Sequence, residues 1–197
     1  MKISRIECKL YNYNIFVLED VQFDYCWLVD IGTKDFIVPN GKKVRGVFIT
    51  HTHIDHILGI NELLTRYPDC IVYVNEAGKE GLFNDKINLT FYHGTPLCFV
   101  GGNLRIIKEG DKVQLFNNEV MEVIETPGHH PSCTCYKNGN YLFTGDSYIP
   151  GFSIVTKLKG GNREQSIVSE KRIKSLIEDN ITIICPGHGD IIYASSQ

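Results

Sequence analysis

The sequence predicts an α+β protein in which two β-sheets pack face to face with helices on the outside. Three observations point there. Short runs rich in β-branched and aromatic residues recur through both halves of the chain. Each half also carries a helical stretch, marked by apolar spacing in the first and by N-capping residues in the second. The resulting order, strands, helix, strand, occurs twice, and such halves bury their apolar faces by stacking sheet on sheet beneath outer helices.

The elements follow in order. Ile3 to Lys9, Tyr13 to Glu19, Tyr25 to Asp30 and Val44 to Thr50 are strand-like runs punctuated by Asn, Asp and Gly. Ile57, Ile60, Leu63, Leu64 and Tyr67 then share one helical face, and Pro68 ends that helix. Ile71 to Val74 returns to strand, and residues 75 to 83 read as a short helix. The stretch 84 to 103 is irregular and reads as a surface loop. Strands resume at Leu104 to Lys108, Lys112 to Phe116, Glu119 to Glu125, Ser132 to Lys137 and Tyr141 to Thr144. A glycine-containing loop covers 147 to 161. A helix from about Arg163 to Glu178 follows, with Asn162 as its N-cap and Gln165 at the capping-box position. Ile181 to Cys185 is the last strand.

Composition sets outer limits. With 197 residues, 43% hydrophobic and 22% charged, the expectation is one soluble domain over 1–197. A net charge of -3 and no long basic run argue against a nucleic-acid partner; the Lys42-Lys43-Val44-Arg45 cluster reads as a solvated turn. No apolar stretch approaches the ~20 residues of a membrane helix. The N-terminus alternates charged and apolar residues, unlike a signal peptide. Seven cysteines, an odd number without a CxxC pair, suit free thiols and a reducing cytoplasm. Cys185 reads as a buried thiol, and Cys133 and Cys135 as thiols that no metal needs.

The chemistry lies in residues 51 to 56, His-Thr-His-Ile-Asp-His. His51, His53, Asp55 and His56 crowd four metal-ligand side chains into six positions directly after an apolar run. Imidazole nitrogen and carboxylate oxygen are what divalent zinc or iron prefers. Three further turns each add a ligand type: Thr126-Pro127-Gly128-His129, Thr144-Gly145-Asp146 and Pro186-Gly187-His188-Gly189. All of these follow strand-like runs, which is where a rigid scaffold presents a site. His130 adjoins His129, but the register from Thr-Pro-Gly favours His129 as the ligand. His93, alone in its surroundings, reads as a packed or solvated side chain.

These motifs strongly resemble those of the metallo-β-lactamase superfamily, over nearly the whole chain. The resemblance implies an αββα sandwich with a two-metal site at one edge of the sheets. It implies that His51, His53 and His129 hold one metal, that Asp55, His56 and His188 hold the second, and that Asp146 bridges them. It further implies that Asp55, Asp146 and His188 belong to the catalytic apparatus. The cofactor expectation is two divalent ions, zinc first, with iron or manganese as alternatives. Two dications ~3.5–4 Å apart acidify a shared water into a nucleophile and polarise the group under attack. No Gly-x-Ser-x-Gly elbow offers a protein nucleophile instead.

Within the superfamily the nearest resemblance is to short, glyoxalase II-like hydrolases. Leu82 to Thr90 and Gly160-Gly161-Asn162 carry it. Asp146 stands where several true β-lactamases carry cysteine, so a lactam substrate is not expected. Nine residues follow His188, too few for the helical domain with which full-length glyoxalase II holds glutathione, and there is no room for the tRNA-clamping arm of ribonuclease Z. Where that group reads Gly-Arg-Thr-Asp, this chain has Ile154-Val155-Thr156-Lys157. The substitution puts a standard glutathione thioester in question and makes Lys157 and Lys159 the candidates for gripping a substrate carboxylate. His130 is a candidate proton donor or rim residue. The expected activity is hydrolysis of a small-molecule ester or thioester. The alternatives are a persulfide dioxygenase using one iron at His51, His129 and Asp146, or a phosphodiesterase or lactonase of the same fold.

Overall fold

Period-two alternation sorts the side chains into layers. The structure, a computed structural model, describes residues 1–9, 12–39, 41–179 and 181–193. The first sheet comprises β1 (Lys2–Cys8), β2 (Tyr13–Glu19), β3 (Tyr25–Val29), β4 (Lys43–Phe48), β5 (Ile71–Val74) and β6 (Asn103–Ile106) in that spatial order. The second comprises β7 (Lys112–Phe116), β8 (Glu119–Glu125), β9 (Thr134–Asn138), β10 (Tyr141–Gly145), β11 (Ile183–Pro186) and β12 (Ile192–Tyr193), also in chain order. Both sheets are mixed. β3 through β6 run parallel, as do β10 and β11, while the remaining pairs are antiparallel.

Along β3 the side chains of Trp27 and Val29 enter the apolar layer between the sheets, and those of Cys26 and Leu28 enter a different cluster outside. The inner layer joins Phe16, Trp27, Phe48 and Tyr73 of the first sheet to Leu115, Met121, Tyr136 and Phe143 of the second. Trp27 Nε1 donates to the Leu115 carbonyl at 3.1 Å and ties the layers directly. Outside the first sheet lie α1 (Ile54–Ile57), α2 (Ile60–Arg66) and α3 (Glu76–Leu82), whose Ile57, Ile60, Leu63, Leu64 and Leu82 pack on Ile15, Leu28, Val47 and Val72. Outside the second sheet α4 (Arg163–Asp179) places Ile173 against Leu142 and Ile184. The architecture is therefore helix, sheet, sheet, helix, as the sequence predicts.

Several local expectations are corrected. The apolar face from Ile57 to Tyr67 belongs to two short helices, because the chain breaks at Gly59. There Gly59 N bonds the Ile31 carbonyl at 2.8 Å, and a Cβ would fall 1.9 Å from the Thr33 oxygen. The Lys42–Arg45 cluster is no free turn: Lys43 begins β4, and the Lys42 ammonium donates to the Asp20 and Phe23 carbonyls at 2.7 Å each. The stretch 84–103 is not a simple surface loop. It contains a 3-10 helix over Thr90–His93, enters β6 at Asn103 and buries Asn88, Leu89, Thr90, Leu97 and Phe99. The N-cap of α4 is as expected, with Gln165 N donating to Asn162 Oδ1 at 3.0 Å.

Close packing around Trp27 generates a prediction. A Cβ on Gly46 would lie 2.7 Å from one Trp27 ring carbon and 3.0 Å from Tyr73. Gly46→Ala should lower stability by ~1–3 kcal/mol through overpacking, read as a drop in the urea midpoint at unchanged slope.

Candidate metal centre

The parallel pairs β3/β4 and β10/β11 bring strand ends to one edge of the sandwich, and the site is built from the residues just beyond those ends. His51 and His53 lie after β4, with Asp55 and His56 in α1. His129 lies after β8, Asp146 after β10 and His188 after β11. The two sheets are stitched here by backbone bonds: Thr134 N to Thr50 O at 2.8 Å and Asn14 N to Gly187 O at 2.8 Å. Gly187 is required by proximity, since a Cβ there would sit 2.4 Å from Asp146 Oδ1. Gly145 turns the chain with φ of 49°, its Cα face against Thr50.

The structure brings all seven candidate ligands into one cluster. Three groups, His51/His53/His129, His51/His56/Asp146 and Asp55/His56/His188, each place their donor atoms within 4.8 Å of one another. His129 Nε2 lies 2.9 Å from His53 Nδ1. His188 Nε2 lies 3.2 Å from Asp55 Oδ2. Asp146 sits between these halves: its oxygens are 3.5 Å from His56 Nε2, 3.6 Å from His129 Nε2 and 3.5 Å from His188 Nε2.

Outer partners hold the rings. His56 Nδ1 donates to Asp30 Oδ2 at 2.7 Å, His129 Nδ1 to the Val155 carbonyl at 2.7 Å and His188 Nδ1 to the Asn12 carbonyl at 3.0 Å. A ring that donates from Nδ1 presents a bare Nε2 inward in its neutral form. Asp30 is the residue that sequence reasoning missed. It is buried, holds a φ of 60°, and also accepts from Thr50 N and Thr50 Oγ1 at 2.7 Å each. The available signal was an acidic residue at the apolar end of a strand, followed by Ile31-Gly32.

The electrostatics divide the cluster. Burial, then the neighbouring His56 and His53, hold His51 well below the ordinary histidine range. Burial and His129 push His53 down to about 3. Burial also acts against charge on His188, but Asp146 and Asp55 outweigh it and push that ring up to about 10. His56 is likewise raised despite burial, by Asp30 and Asp55. Burial would raise Asp146, yet His188 and His56 hold it well below the carboxylate range.

The donor set fits divalent cations. His51 Nε2, His53 Nε2, His56 Nε2 and Asp146 Oδ1 are buried without a hydrogen-bond partner. Each such orphan costs ~1–3 kcal/mol, and an ion is a standard explanation for polar atoms left this way. Cys133 and Cys135 are buried thiols outside all three groups.

The expectations for the rim are corrected. His130 is buried, at 1% exposure, and not on the rim. Its Nδ1 accepts from Ser132 N at 3.2 Å and meets Ser132 Oγ at 2.7 Å, while the ring also hydrogen-bonds the Ile87 backbone. Ser132 Oγ in turn accepts from Thr52 N at 3.1 Å, so His130 braces the His51–His56 turn. Burial and His129 push it down to about 4. Lys157 and Lys159 are exposed and line neither of the two cavities at the centre. The loop presents Val155 and Leu158 to the larger cavity instead. His93, set aside in the sequence, also lines it.

The sequence profile of the metallo-beta-lactamase superfamily matches residues 25–188. The chain belongs to that superfamily, whose members are mostly metal-dependent hydrolases with His-rich sites for divalent metals. Solved structures share the fold. BLEG-1 B3 metallo-beta-lactamase superposes with a TM-score of 0.84 at 20% identity, covering 98% of this chain and 94% of that one. TTHA1623 in a di-iron-bound form gives 0.77 at 22% identity, covering 97% and 94%. ETHE1 from Myxococcus xanthus gives 0.74 at 21% identity, covering 98% and 80%.

The divided electrostatics predict how the metal-free protein responds to pH. His53 and His130 stay unprotonated in the fold to about 3 and about 4, while unfolded histidine takes up protons near ~6.5. The unfolded state therefore binds more protons as pH falls from ~6.5 toward 4, and stability drops across that window. His188 works oppositely: its contribution is complete below ~6.5 and is lost as pH rises through about 10. Thermal unfolding of chelator-treated protein should show a lower midpoint at pH 4.5 and at pH 10.5 than at neutrality.

Proposed function

We propose that the protein is a dinuclear-metal hydrolase, with zinc the leading metal, acting on a small ester or thioester. The observation that carries this reading is the placement of Asp146 between two three-ligand groups, with unpartnered ligand atoms aimed at the same centre. His51, His53 and His129 would hold one ion, Asp55, His56 and His188 the other, and Asp146 both. Two bound dications supply an acidified water and a Lewis acid for the substrate carbonyl.

The chain's own residues do the remainder. Asp30, the Val155 carbonyl and the Asn12 carbonyl fix which nitrogen of His56, His129 and His188 faces inward. Asp55 and Asp146 offset positive charge and orient the neighbouring imidazoles. The burial of His51 and His53 keeps water from competing on that side. A small, oxygen-rich substrate suits a cationic centre. The chain's net charge of -3 gives no basic track for a nucleic-acid backbone.

Metal analysis of protein prepared without chelator tests the reading first. About two zinc per chain supports hydrolysis. One iron per chain, with no hydrolysis, moves the assignment to the mononuclear dioxygenase alternative. A panel of aryl esters, lactoylglutathione, lactones and bis(p-nitrophenyl) phosphate tests it next, and turnover of the phosphodiester alone would overturn it.

Two substitutions probe the ligand set. Asp146→Ala should abolish turnover and remove at least one metal, because two dications would face each other without the shared carboxylate; full metal content with retained hydrolysis rules out the bridging role. Asp30→Asn should weaken metal affinity by about 10- to 100-fold, measured by competition with a chromophoric chelator, while the fold survives by circular dichroism.

A further inference from the structure

The segment between α3 and β6 forms one wall of the site, and its construction indicates what that wall receives. Leu89 holds a left-handed backbone with φ of 66°, a conformation that non-glycine residues rarely keep. Its neighbours force it. Asn88 donates its side-chain amide to Gly81 O at 2.9 Å and to Leu97 O at 3.0 Å. Asn88 Oδ1 accepts from Thr90 N at 3.0 Å and Thr90 Oγ1 at 2.6 Å, and Thr90 Oγ1 accepts from Leu97 N at 2.9 Å. His130 secures Ile87 from the metal-centre side. Strain held by this much hydrogen bonding is what preorganised ligand clamps show.

The clamp delivers Leu89 to a cavity of about 240 Å³ that abuts the candidate ligands. The rest of its wall is Ile54, Val155, Leu158 and His93. Val155 and Leu158 are 52% and 44% exposed, so this apolar surface does not serve the core. Val155 is held in place because its carbonyl accepts a hydrogen bond from His129 Nδ1 at 2.7 Å. Among the described residues, no lysine or arginine lines the cavity. A highly charged substrate arm would lose water there and gain no counter-charge. The volume also falls below the roughly 300–1,000 Å³ typical of drug-sized sites.

We propose that the substrate is an ester or thioester with a short apolar acyl chain, butanoyl to hexanoyl, packed on Leu89, Val155 and Leu158. This names the substrate class of the proposed hydrolase and rests on that reading. The wall begins at the candidate ligands themselves, so a chain that fills it starts at the scissile carbonyl. Hydrolysis there joins the oxygen of water to the acyl carbon and breaks the acyl C–O or C–S bond. The products are a carboxylate, a neutral alcohol or thiol, and a proton released to solvent.

Two measurements on metal-loaded protein test the proposal. For p-nitrophenyl esters, kcat/KM should rise about three- to four-fold per methylene from acetyl to hexanoyl, then fall at decanoyl. Leu89→Asn, chosen because Asn tolerates the left-handed backbone, should flatten that rise at unchanged metal content. Calorimetric binding of acetate, butanoate and hexanoate reads the same wall without turnover and should tighten along the series. A flat ester profile with flat carboxylate binding overturns the proposal, as does a preference for lactoylglutathione over hexanoyl esters. Chain-dependent carboxylate binding with no ester turned over would support the apolar wall and sink the hydrolase reading instead.

Discussion

The buried contact between Asp30 and Thr50 is the constraint on which the centre depends. Asp30 closes the third strand and Thr50 comes just after the fourth, so their two 2.7 Å hydrogen bonds lock adjacent strand ends in register. The same carboxylate holds His56 at 2.7 Å. The Thr50 carbonyl accepts from Thr134, across in the second sheet, and Gly145 packs on the Thr50 side chain just before Asp146. One residue pair thus fixes the start of the His51–His56 turn, one candidate ligand ring, and the approach of the opposite sheet. A carboxyl group so buried needs hydrogen-bond partners. Asp30, with its left-handed backbone, reaches three donors.

Much of this was legible in the sequence because it depends on local pattern. Short runs rich in β-branched and aromatic residues marked β2, β3 and β5, and the helical face from Ile57 to Leu64 marked the packing surface of α1 and α2. The candidate ligands were legible for another reason: four ligand side chains crowded into residues 51 to 56, and an isolated His or Asp after a strand and a tight Gly or Pro turn, are patterns with little structural purpose. Asp30 escaped because a single acidic residue at a strand end looks like an ordinary turn residue. Its role appears only when His56, 26 positions away in the chain, closes on it.

The segment 84–100 shows the opposite limit. Its order comes from side chain to backbone bonds made by Asn88 and Thr90, which leave no periodicity to read. Polar residues without apolar spacing look like surface loop, yet here Asn88 and Thr90 are wholly buried. Lys157 and Lys159 misled for a related reason. In an irregular loop, neither period two nor period 3.6 says which side chain faces the site, and the contact between His129 and the Val155 carbonyl decides it instead.

The two halves of the centre differ in a way that bears on how it fills. His51 and His53 are crowded by other imidazoles in a dry setting, so their lone pairs are free at neutral pH. His56 and His188 are surrounded by Asp30, Asp55 and Asp146 and keep protons there. These protons take the place of positive charge that the carboxylates require. A cation held by Asp55, His56 and His188 would have to displace them, whereas His51 and His53 would impose no such release. Because ligands must be deprotonated to bind, metal uptake by the carboxylate-rich half would be the more pH-sensitive of the two. The Asp146 carboxylate lies between them, 3.6 Å from His129 and 3.5 Å from His188. Charge balance, set by where three aspartates fall around five histidines, thereby divides one cluster of candidate ligands into two electrostatically unequal halves.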